Sequence, residues 1–388
     1  MPDSPRAATA PRLPSLTGLR FAAALLVFGV HAYSFIPVGG FAHDLGHLLL
    51  DPGDLGVSFF FVLSGFVLTW AARGDGPAPG RGLGRFFAGR FLRIYPAYLV
   101  ALALAVASKW VGDLIDPVGN RMNQVNGHNL TTSVFLVQAW FPDDVTYLGI
   151  NPVAWSLSCE IAFYAAFPLL YPLLRHLAGR ALAVAAIGLV ALGLLMPLIA
   201  HLWVDPDYQR WFVYILPVTR GVEFALGIAL ALLVRSGAWR GPGLPVATGL
   251  FVANYLAVNL LPHQVRDTAA VLATTALLIP AAATADLTGA RSVWRHPALV
   301  RLGDASYAFF LVHLTIITTV MTYLGRSHDY PAWQAVPLGL GFLVVSYAVA
   351  MPLHRYVEAP AMRLLRRRRR PAAIPAPRAP QPDRVGVG

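Results

Sequence analysis

Two ionisable residues, Arg20 and His31, lie on the first long apolar segment of the chain. On an α-helix, a spacing of 11 residues returns to within about 20° of the same face and spans about 16 Å along the axis. The two side chains can therefore face one cavity without touching. A histidine in an apolar cavity is a candidate general base, and an arginine near the membrane surface is a candidate phosphate ligand.

Ionisable residues also interrupt later apolar segments, at Glu160, Arg220, Glu223 and His313. Such a side chain in a transmembrane helix costs several kcal/mol by insertion scales, so it indicates function by default. The alternative is that these residues form buried polar pairs that hold helices together, each worth about 1 kcal/mol. Six of them on one predicted bundle favour a functional site.

The elements that carry these residues are predicted membrane spans. The chain has 388 residues, of which 56% are hydrophobic and 13% are charged, far more apolar than a soluble domain. Apolar runs of about 20 residues can cross a bilayer. They predict an all-α polytopic transmembrane helix bundle, multi-pass in the cell membrane. The ten predicted spans are residues 18–37, 55–72, 92–112, 152–174, 181–201, 211–234, 244–262, 267–286, 302–325 and 334–353.

Arginines are concentrated in alternate connectors. With the N-terminus inside, the cytoplasmic connectors carry clusters, whereas each external connector carries at most one arginine. The positive-inside rule therefore predicts that both termini are cytoplasmic, and the arginine run at 366–370 adds to the asymmetry. The same rule explains the net charge of +11 without a nucleic-acid partner. We expect a transmembrane domain at 18–360 between cytoplasmic tails at 1–17 and 361–388, the second basic and Pro-rich.

The antiparallel first and fourth spans bring two ionisable groups to one depth. Glu160 should lie about 12 Å below the external face, and His31 about 18 Å above the cytoplasmic face of a core about 30 Å thick. We therefore predict that Glu160 orients the His31 ring and stabilises its imidazolium. The same arithmetic places Glu223 and His313 near the middle of the membrane.

Several motifs occur in order along the chain and together resemble the acyltransferase 3 family of membrane acyltransferases. They are LTGLRFAA (16–23), FFFVLSGF (59–66), RFLRIYP (90–96), NPVAWSLSCEIAFY (151–164), RGVEFALG (220–227), LGDASYAFFLVH (302–313) and RYVEAP (355–360). Two positions depart from the family pattern. Thr17 stands where relatives often have an acidic residue, and Cys159 stands where many have an aliphatic one.

The resemblance implies a ten-span enzyme that moves an acyl group, commonly acetyl, from a cytoplasmic acyl-CoA to a hydroxyl of a sugar or sugar-bearing acceptor. The R-x10-H signature of the family falls on Arg20 and His31. Its basic pair before the third span falls on Arg90 and Arg93, and its WSLSxE element falls on residues 155–160. CoA is a polyanion and Arg fits phosphate geometry. The predicted CoA ligands are Arg20, Arg85, Arg90 and Arg93.

For the transfer, His31 would take the proton of the acceptor hydroxyl as its oxygen attacks the thioester carbonyl. Residues that could bind substrate or donate to the oxyanion are Ser64, Trp155, Ser158, Arg220, Glu223, Ser306, Tyr307 and His313. A covalent route through Cys159 is an alternative, but core packing is favoured, because Cys159 points about 100° away from Glu160 on a helix.

No permanently bound cofactor and no metal are expected. Cys159 is the only cysteine, and His43 and His47 have metal-ligand spacing but no evident third ligand. Acyl-CoA, acetyl-CoA or similar, is instead a donor substrate. The other expected partners are a hydroxylated small-molecule or glycan acceptor and the lipid bilayer.

Three functions remain open on the sequence. The first is O-acylation of a macrolide or another glycosylated natural product, since the chain also resembles the actinomycete enzymes that acylate macrolide antibiotics. The second is O-acetylation of a cell-surface polysaccharide or glycolipid. The third, of another class, is a proton-coupled exporter that uses the His and Glu residues as a relay.

Overall fold

The computed structural model describes residues 11–72, 82–115, 125–260, 271–324 and 329–367. Within these ranges the chain is helical, with an isolated bridge between Val38 and Tyr330 and no strand, which confirms the all-α class. The α-helices are α1 (Pro14–Phe35), α2 (Gly40–Leu49), α3 (Gly56–Ala71), α4 (Leu83–Ile115), α5 (Gly127–Phe135), α6 (Asp144–Leu148), α7 (Trp155–Arg175), α8 (Gly179–Trp203), α9 (Pro217–Arg235), α10 (Leu244–Ala257), α11 (Leu272–Leu287), α12 (Pro297–Asp304), α13 (Ser306–Leu324), α14 (Ala332–Leu353) and α15 (Ala359–Arg367).

Eight helical segments in the described part of the chain are long and apolar enough to cross a membrane. They are Pro14–Phe35, Gly40–Ala71, Leu83–Gly112, Pro152–Arg175, Gly179–Trp203, Pro206–Arg235, Ser306–Leu324 and Ala332–Leu364. Each overlaps one predicted span, with the largest difference at Gly40–Ala71, which begins 15 residues before the predicted 55–72. The predicted seventh and eighth spans correspond to shorter apolar helices, Leu244–Leu260 and Leu272–Leu287, and residues 261–270 lie outside the described ranges. The chain is therefore a polytopic membrane helix bundle. The two predicted tails and the arginine run at 366–370 fall largely outside the described residues.

Helix α1, which carries both residues of the R-x10-H pair, is anchored at its start. Asp286 at the end of α11 accepts hydrogen bonds from the backbone N–H and the hydroxyl of Ser15, at 2.8 and 2.7 Å. The same carboxylate pairs with Arg295 at 3.4 Å. A Cβ at Gly18 would overlap the Trp294 carbonyl, so glycine allows backbone contact there. These contacts fix the position of α1 along its axis.

The helices α3 and α9 also pack at backbone contact. A Cβ at Gly65 would overlap the Phe224 carbonyl, and one at Gly227 would overlap the Val62 carbonyl. Small residues at a helix interface allow this close approach in membrane proteins. The close packing of these two helices holds one wall of the bundle interior.

The long connector before α7 folds into a cap on the predicted external side. The Tyr98 hydroxyl donates to the Ser133 carbonyl at 2.7 Å, which ties α5 to α4. Asn151, just before α7, donates through Nδ2 to the Leu311 carbonyl on α13 at 2.9 Å. The cap therefore positions α4, α7 and α13 relative to one another. Residues 116–124 of this connector lie outside the described ranges.

Candidate active site

A pair of histidines lies in the bundle interior, between α1 and α13. The Nδ1 atom of His31 is 2.8 Å from the Nε2 atom of His313. The two rings stack with centroids 5.0 Å apart. His313 is fully buried, and the Phe309 ring stacks on its imidazole at 5.4 Å. His313 is thus enclosed by aromatic side chains, and the half-buried His31 contacts it from α1.

The hydrogen bonds around His313 determine which ring nitrogens carry protons. His313 Nδ1 lies 2.9 Å from the Phe310 carbonyl and 3.2 Å from the Phe309 carbonyl. A carbonyl can only accept, so Nδ1 carries the proton, and a neutral His313 then accepts at Nε2. His31 Nδ1 must be the donor in the pair. This leaves His31 Nε2 with a free lone pair, which is the form that a general base requires.

The predicted contact between Glu160 and His31 is wrong. His31 bonds to His313, and Glu160 accepts a hydrogen bond of 2.5 Å from the hydroxyl of Tyr164, one turn further along α7. Depth along a span does not determine which way a side chain points around its helix, so two groups at one level need not meet. Glu160 instead lines a cavity nearer to the predicted cytoplasmic side.

This cavity has a volume of about 180 Å³. Its polar residues come from α1, α3, α4, α7 and α13 and include seven of the predicted site residues. The polar lining consists of Arg20, Ser64, Arg90, Arg93, Ser156, Glu160, Tyr164, Ser306 and Tyr307. The remaining wall is aliphatic and aromatic. It includes Phe310, the residue whose carbonyl holds His313, so the cavity ends beside the histidine pair.

The arginines of the cavity differ in how they are neutralised. Arg93 forms an ion pair with Glu358, which is 1% exposed and also accepts from His354 Nδ1 at 2.9 Å. Within the described ranges, Arg20 makes no hydrogen bond or ion pair, and Arg90 lies over the Tyr164 ring at 5.6 Å with its Nε atom unpaired. Two guanidinium groups are thus available to an anionic ligand.

Arg85, also predicted to bind CoA, does not belong to this cluster. Its side chain is exposed near the start of α4, and it does not line the cavity. Arg85 precedes Arg90 by five residues and Arg93 by eight, and the α-helical period turns it to a different direction from Arg90.

The hydroxyl groups of the cavity can be compared as oxyanion donors. The Ser306 hydroxyl donates to the Gly303 carbonyl at 2.7 Å, and the Tyr307 hydroxyl donates to the Ile94 carbonyl at 3.0 Å. Each has one proton, which is therefore already used. Ser64 makes no hydrogen bond to any described residue. Among Ser64, Ser306 and Tyr307, Ser64 is therefore the residue whose hydroxyl proton can be donated to an oxyanion.

Arg220 and Glu223, predicted as substrate or oxyanion groups, form a buried ion pair instead. Arg220 Nη1 lies 3.0 Å from Glu223 Oε1, and its Nη2 donates to the Ser58 hydroxyl at 3.0 Å. The guanidinium also lies over the Phe61 ring at 5.1 Å. Both residues lie outside the cavity lining. The contacts are those of a polar pair between α3 and α9.

Two predicted residues of the WSLSxE element face away from the cavity, as does the adjacent cysteine. Trp155 packs on the Tyr214 ring with centroids 4.9 Å apart. Ser158 accepts from the Ala139 backbone N–H at 3.4 Å. The buried Cys159 thiol donates to the Ile215 carbonyl at 3.2 Å. These contacts belong to the packing of α7 against its neighbours.

Residues 13–355 match the acyltransferase 3 family of acyltransferase domains. The chain belongs to this family. The matched range covers the histidine pair and every residue that lines the cavity. Glu358, the partner of Arg93, lies three residues beyond it.

Proteins related to this acyltransferase 3 member differ in how closely and how completely they match. The chain is 38% identical over 383 residues to a Streptomyces mycarofaciens protein named acyltransferase MdmB, a match that covers 94% of this chain and 96% of that protein. A Staphylococcus aureus protein named as a candidate O-acetyltransferase is 24% identical, and the match covers 90% of this chain but 57% of that protein. Nodulation protein 10 of Rhizobium leguminosarum is 26% identical over 89% of this chain and 92% of that protein. No solved structure matches the chain.

The structure adds site residues to this acyltransferase that the sequence analysis did not select. Tyr164 binds Glu160 and stacks under Arg90, and its position one turn after Glu160 on the same helix was a usable signal. Glu358 holds Arg93, and it lies in the RYVEAP segment, where an acidic residue near an arginine cluster was visible but had no assigned partner.

Proposed function

We propose that this acyltransferase moves an acyl group from acyl-CoA to a hydroxyl group, with His31 as the general base. The observation that carries the proposal is the hydrogen-bond chain from His31 through His313 to the Phe310 carbonyl. That chain leaves His31 Nε2 unprotonated and holds the ring in one orientation. A positioned base of this kind contributes roughly 10²- to 10⁴-fold to a proton-transfer step.

The donor would bind in the cavity on the predicted cytoplasmic side of this pair. Arg20 and Arg90 have no acidic partner among the described residues, and arginine binds phosphate oxygens through paired N–H groups. Arg20 and His31 lie on one continuous helix, which separates them by about 16 Å. The extended pantetheine arm of CoA would run between them along the aliphatic and aromatic wall, with its thioester towards His31.

The proposed reaction is a direct transfer. His31 Nε2 takes the proton of the acceptor hydroxyl while the oxygen adds to the thioester carbonyl. The resulting oxyanion accepts a hydrogen bond from the Ser64 hydroxyl, a stabilisation that is often the largest single contribution to such catalysis. Collapse of the intermediate breaks the C–S bond, and the proton on His31 passes to the departing sulfur. The products are an ester and free CoA, with no net release of a proton.

For the acceptor, we propose a macrolide or another glycosylated natural product. Its support is the 38% identity to acyltransferase MdmB along almost the whole of both chains, together with the resemblance of the motifs to actinomycete macrolide acyltransferases. The match to a candidate O-acetyltransferase is weaker and covers 57% of that protein. A cell-surface glycan is therefore the competing acceptor in the experiment below.

Purified protein with radiolabelled acetyl-CoA tests the proposal directly. The acceptors are a glycosylated macrolide lactone, its sugar-free aglycone and a bacterial oligosaccharide. We expect a labelled ester from the glycosylated lactone and a loss of roughly 10²- to 10⁴-fold in His31→Ala. His201→Ala is the matched control, since His201 is exposed on α8. Unchanged turnover in His31→Ala would exclude the general-base role, and the absence of any ester would favour an exporter.

A further inference from the structure

Two aromatic rings meet at the inner end of the arginine cavity, the cavity that Arg20 and Arg90 line. Phe60 of α3 and Phe310 of α13 both belong to its wall, and their rings meet edge to face with centroids 6.2 Å apart. The Phe310 ring also lies 5.8 Å from the His313 ring. Phe60 and Phe310, the aromatic pair, therefore close the cavity where it reaches the histidine pair.

The polar and apolar parts of this cavity lie at different depths. On α13, the Tyr307 ring lies against Arg93, and Phe310 follows one turn later. On α3, which is predicted to run in the opposite direction, Ser64 comes one turn after Phe60. Phe60 is therefore about 6 Å deeper than Ser64 along the helix axis. The cavity is polar towards the arginines and aromatic towards the histidine pair.

The inner end of the cavity is mainly apolar. Besides the aromatic pair, its wall includes Val57 and Leu157, which lie near the starts of α3 and α7. The Ser156 hydroxyl donates to the Val153 carbonyl at 2.9 Å, so its proton is already used. Burial of hydrocarbon against such a wall is favourable, whereas a hydroxyl-rich ligand would lose its hydrogen bonds with water. An acyl chain suits this end of the cavity better than a polar acceptor does.

We propose that the aromatic pair selects the acyl group, by ending the space that is open to the acyl chain of the donor thioester. When the thioester oxygen accepts from Ser64, the chain extends from that carbonyl towards Phe60, one turn deeper. Rings in edge-to-face contact leave no gap for a longer chain to pass between them. The preferred acyl group is therefore of acetyl size, and Phe60 and Phe310 are specificity-determining residues. This inference rests on the proposed function and adds to it the residues that select the donor.

The ratio of kcat/KM for acetyl-CoA to kcat/KM for butyryl-CoA tests the proposal, with the glycosylated macrolide lactone as acceptor. One methylene in an apolar pocket changes such a ratio by roughly 10- to 200-fold. We expect the wild-type protein to prefer acetyl-CoA. Phe60→Ala and Phe310→Ala should each lower the ratio by about tenfold or more, because removal of either ring extends the inner end. Phe310→Trp, which narrows that end, should raise the ratio of acetyl-CoA to propionyl-CoA.

The ratio also excludes indirect effects of these substitutions. A smaller folded fraction, or a displaced His313, slows transfer from both donors alike and leaves the ratio unchanged. Phe310→Leu keeps an apolar side chain and should shift the ratio in the same direction as Phe310→Ala. The matched control is Phe91→Ala, since Phe91 is 52% exposed on α4 and does not line the cavity. Its ratio should equal that of the wild-type protein.

Donor analogues that cannot react separate binding from catalysis. The thioethers S-ethyl-CoA and S-butyl-CoA lack the carbonyl that the acceptor attacks, and they should compete with acetyl-CoA. We expect Phe310→Ala to lower the inhibition constant of S-butyl-CoA by roughly tenfold or more, while that of S-ethyl-CoA stays the same. An equal change for both thioethers would contradict an effect on chain length.

The outcomes distinguish this inference from the proposed function. If the wild-type protein forms the ester but the Phe60 and Phe310 variants keep its donor ratio, the aromatic pair does not select the acyl group. A raised acceptor KM with an unchanged donor ratio would place the acceptor against these rings and would also overturn the inference. If no acyl-CoA yields an ester, the proposed function itself is wrong.

Discussion

Replacing His313 by Leu removes the acceptor for the Nδ1 proton of His31. That hydrogen bond, at 2.8 Å between half-buried His31 and buried His313, favours the tautomer in which Nε2 is free. A neutral hydrogen bond contributes about 1–1.5 kcal/mol, which is roughly a tenfold change in the tautomer ratio. We therefore expect kcat for ester formation to fall at least tenfold in His313→Leu, towards the roughly 10²- to 10⁴-fold loss expected when the base itself is absent.

A double-mutant cycle with radiolabelled acetyl-CoA measures this effect. If His313 acts through His31, then His31→Ala with His313→Leu should be no slower than His31→Ala alone. His313→Gln should recover part of the rate, because its amide oxygen can accept from His31. Thermal unfolding in detergent checks that each variant is folded. A wild-type rate in His313→Leu, or a double variant whose loss is the product of the two single losses, would refute the reasoning.

Two further predictions concern the arginine cavity. Arg90→Gln should raise the acyl-CoA KM by roughly tenfold or more, since a hydrogen bond to a charged group is worth about 1.5–3 kcal/mol. The exposed Arg180, as Arg180→Gln, is the control, and an equal KM in both variants would contradict a phosphate site. Glu358→Gln leaves the Arg93 guanidinium without its acidic partner and should lower the free energy of unfolding by about 3 kcal/mol, seen as a lower Tm. An unchanged Tm would show that this ion pair is not stabilising.

The spans were predictable because length and apolarity decide them. Each of the eight long helical segments overlaps a predicted span, although Gly40–Ala71 and Leu83–Gly112 begin 15 and nine residues earlier and Ala332–Leu364 ends 11 residues later. The predicted seventh and eighth spans, 244–262 and 267–286, correspond within the described residues to Leu244–Leu260 and Leu272–Leu287. Hydropathy averages over a run of residues, so it identifies an apolar segment without fixing where the helical hydrogen bonds begin and end.

The sequence predicted which residues belong to the site better than it predicted which of them contact each other. Arg20, Arg90, Arg93 and Glu160 line one cavity as a set, because each is too costly to leave in lipid and must face the bundle interior. The partner of His31 was not predictable in the same way. The estimated depths place Glu160 and His313 at similar levels to His31. Which of the two contacts His31 depends on the direction in which each side chain leaves its helix, and depth does not determine that direction.

Glu358 shows why the remaining contacts could not be predicted. It lies on a π-helical turn, His354–Glu358, whose geometry differs from the α-helical period that sequence analysis assumes. A π turn inserts an extra residue and shifts the direction of the side chains that follow. Glu358 points inward to Arg93, while Tyr356 on the same turn is exposed.

The position of the arginine cavity gives a physical reason for the spacing of the R-x10-H signature. Arg20 and His31 share a face of α1, with Arg20 in the arginine cavity and His31 against His313, beyond its inner end. A shorter spacing would place the base among the guanidinium groups, where their charge would oppose formation of imidazolium. A spacing of 11 residues keeps the base out of that cluster and leaves it on the same helix face as Arg20. Arg20 and His31 are too far apart to contact each other. The same distance allows one helix to carry both a ligand for the donor and the general base.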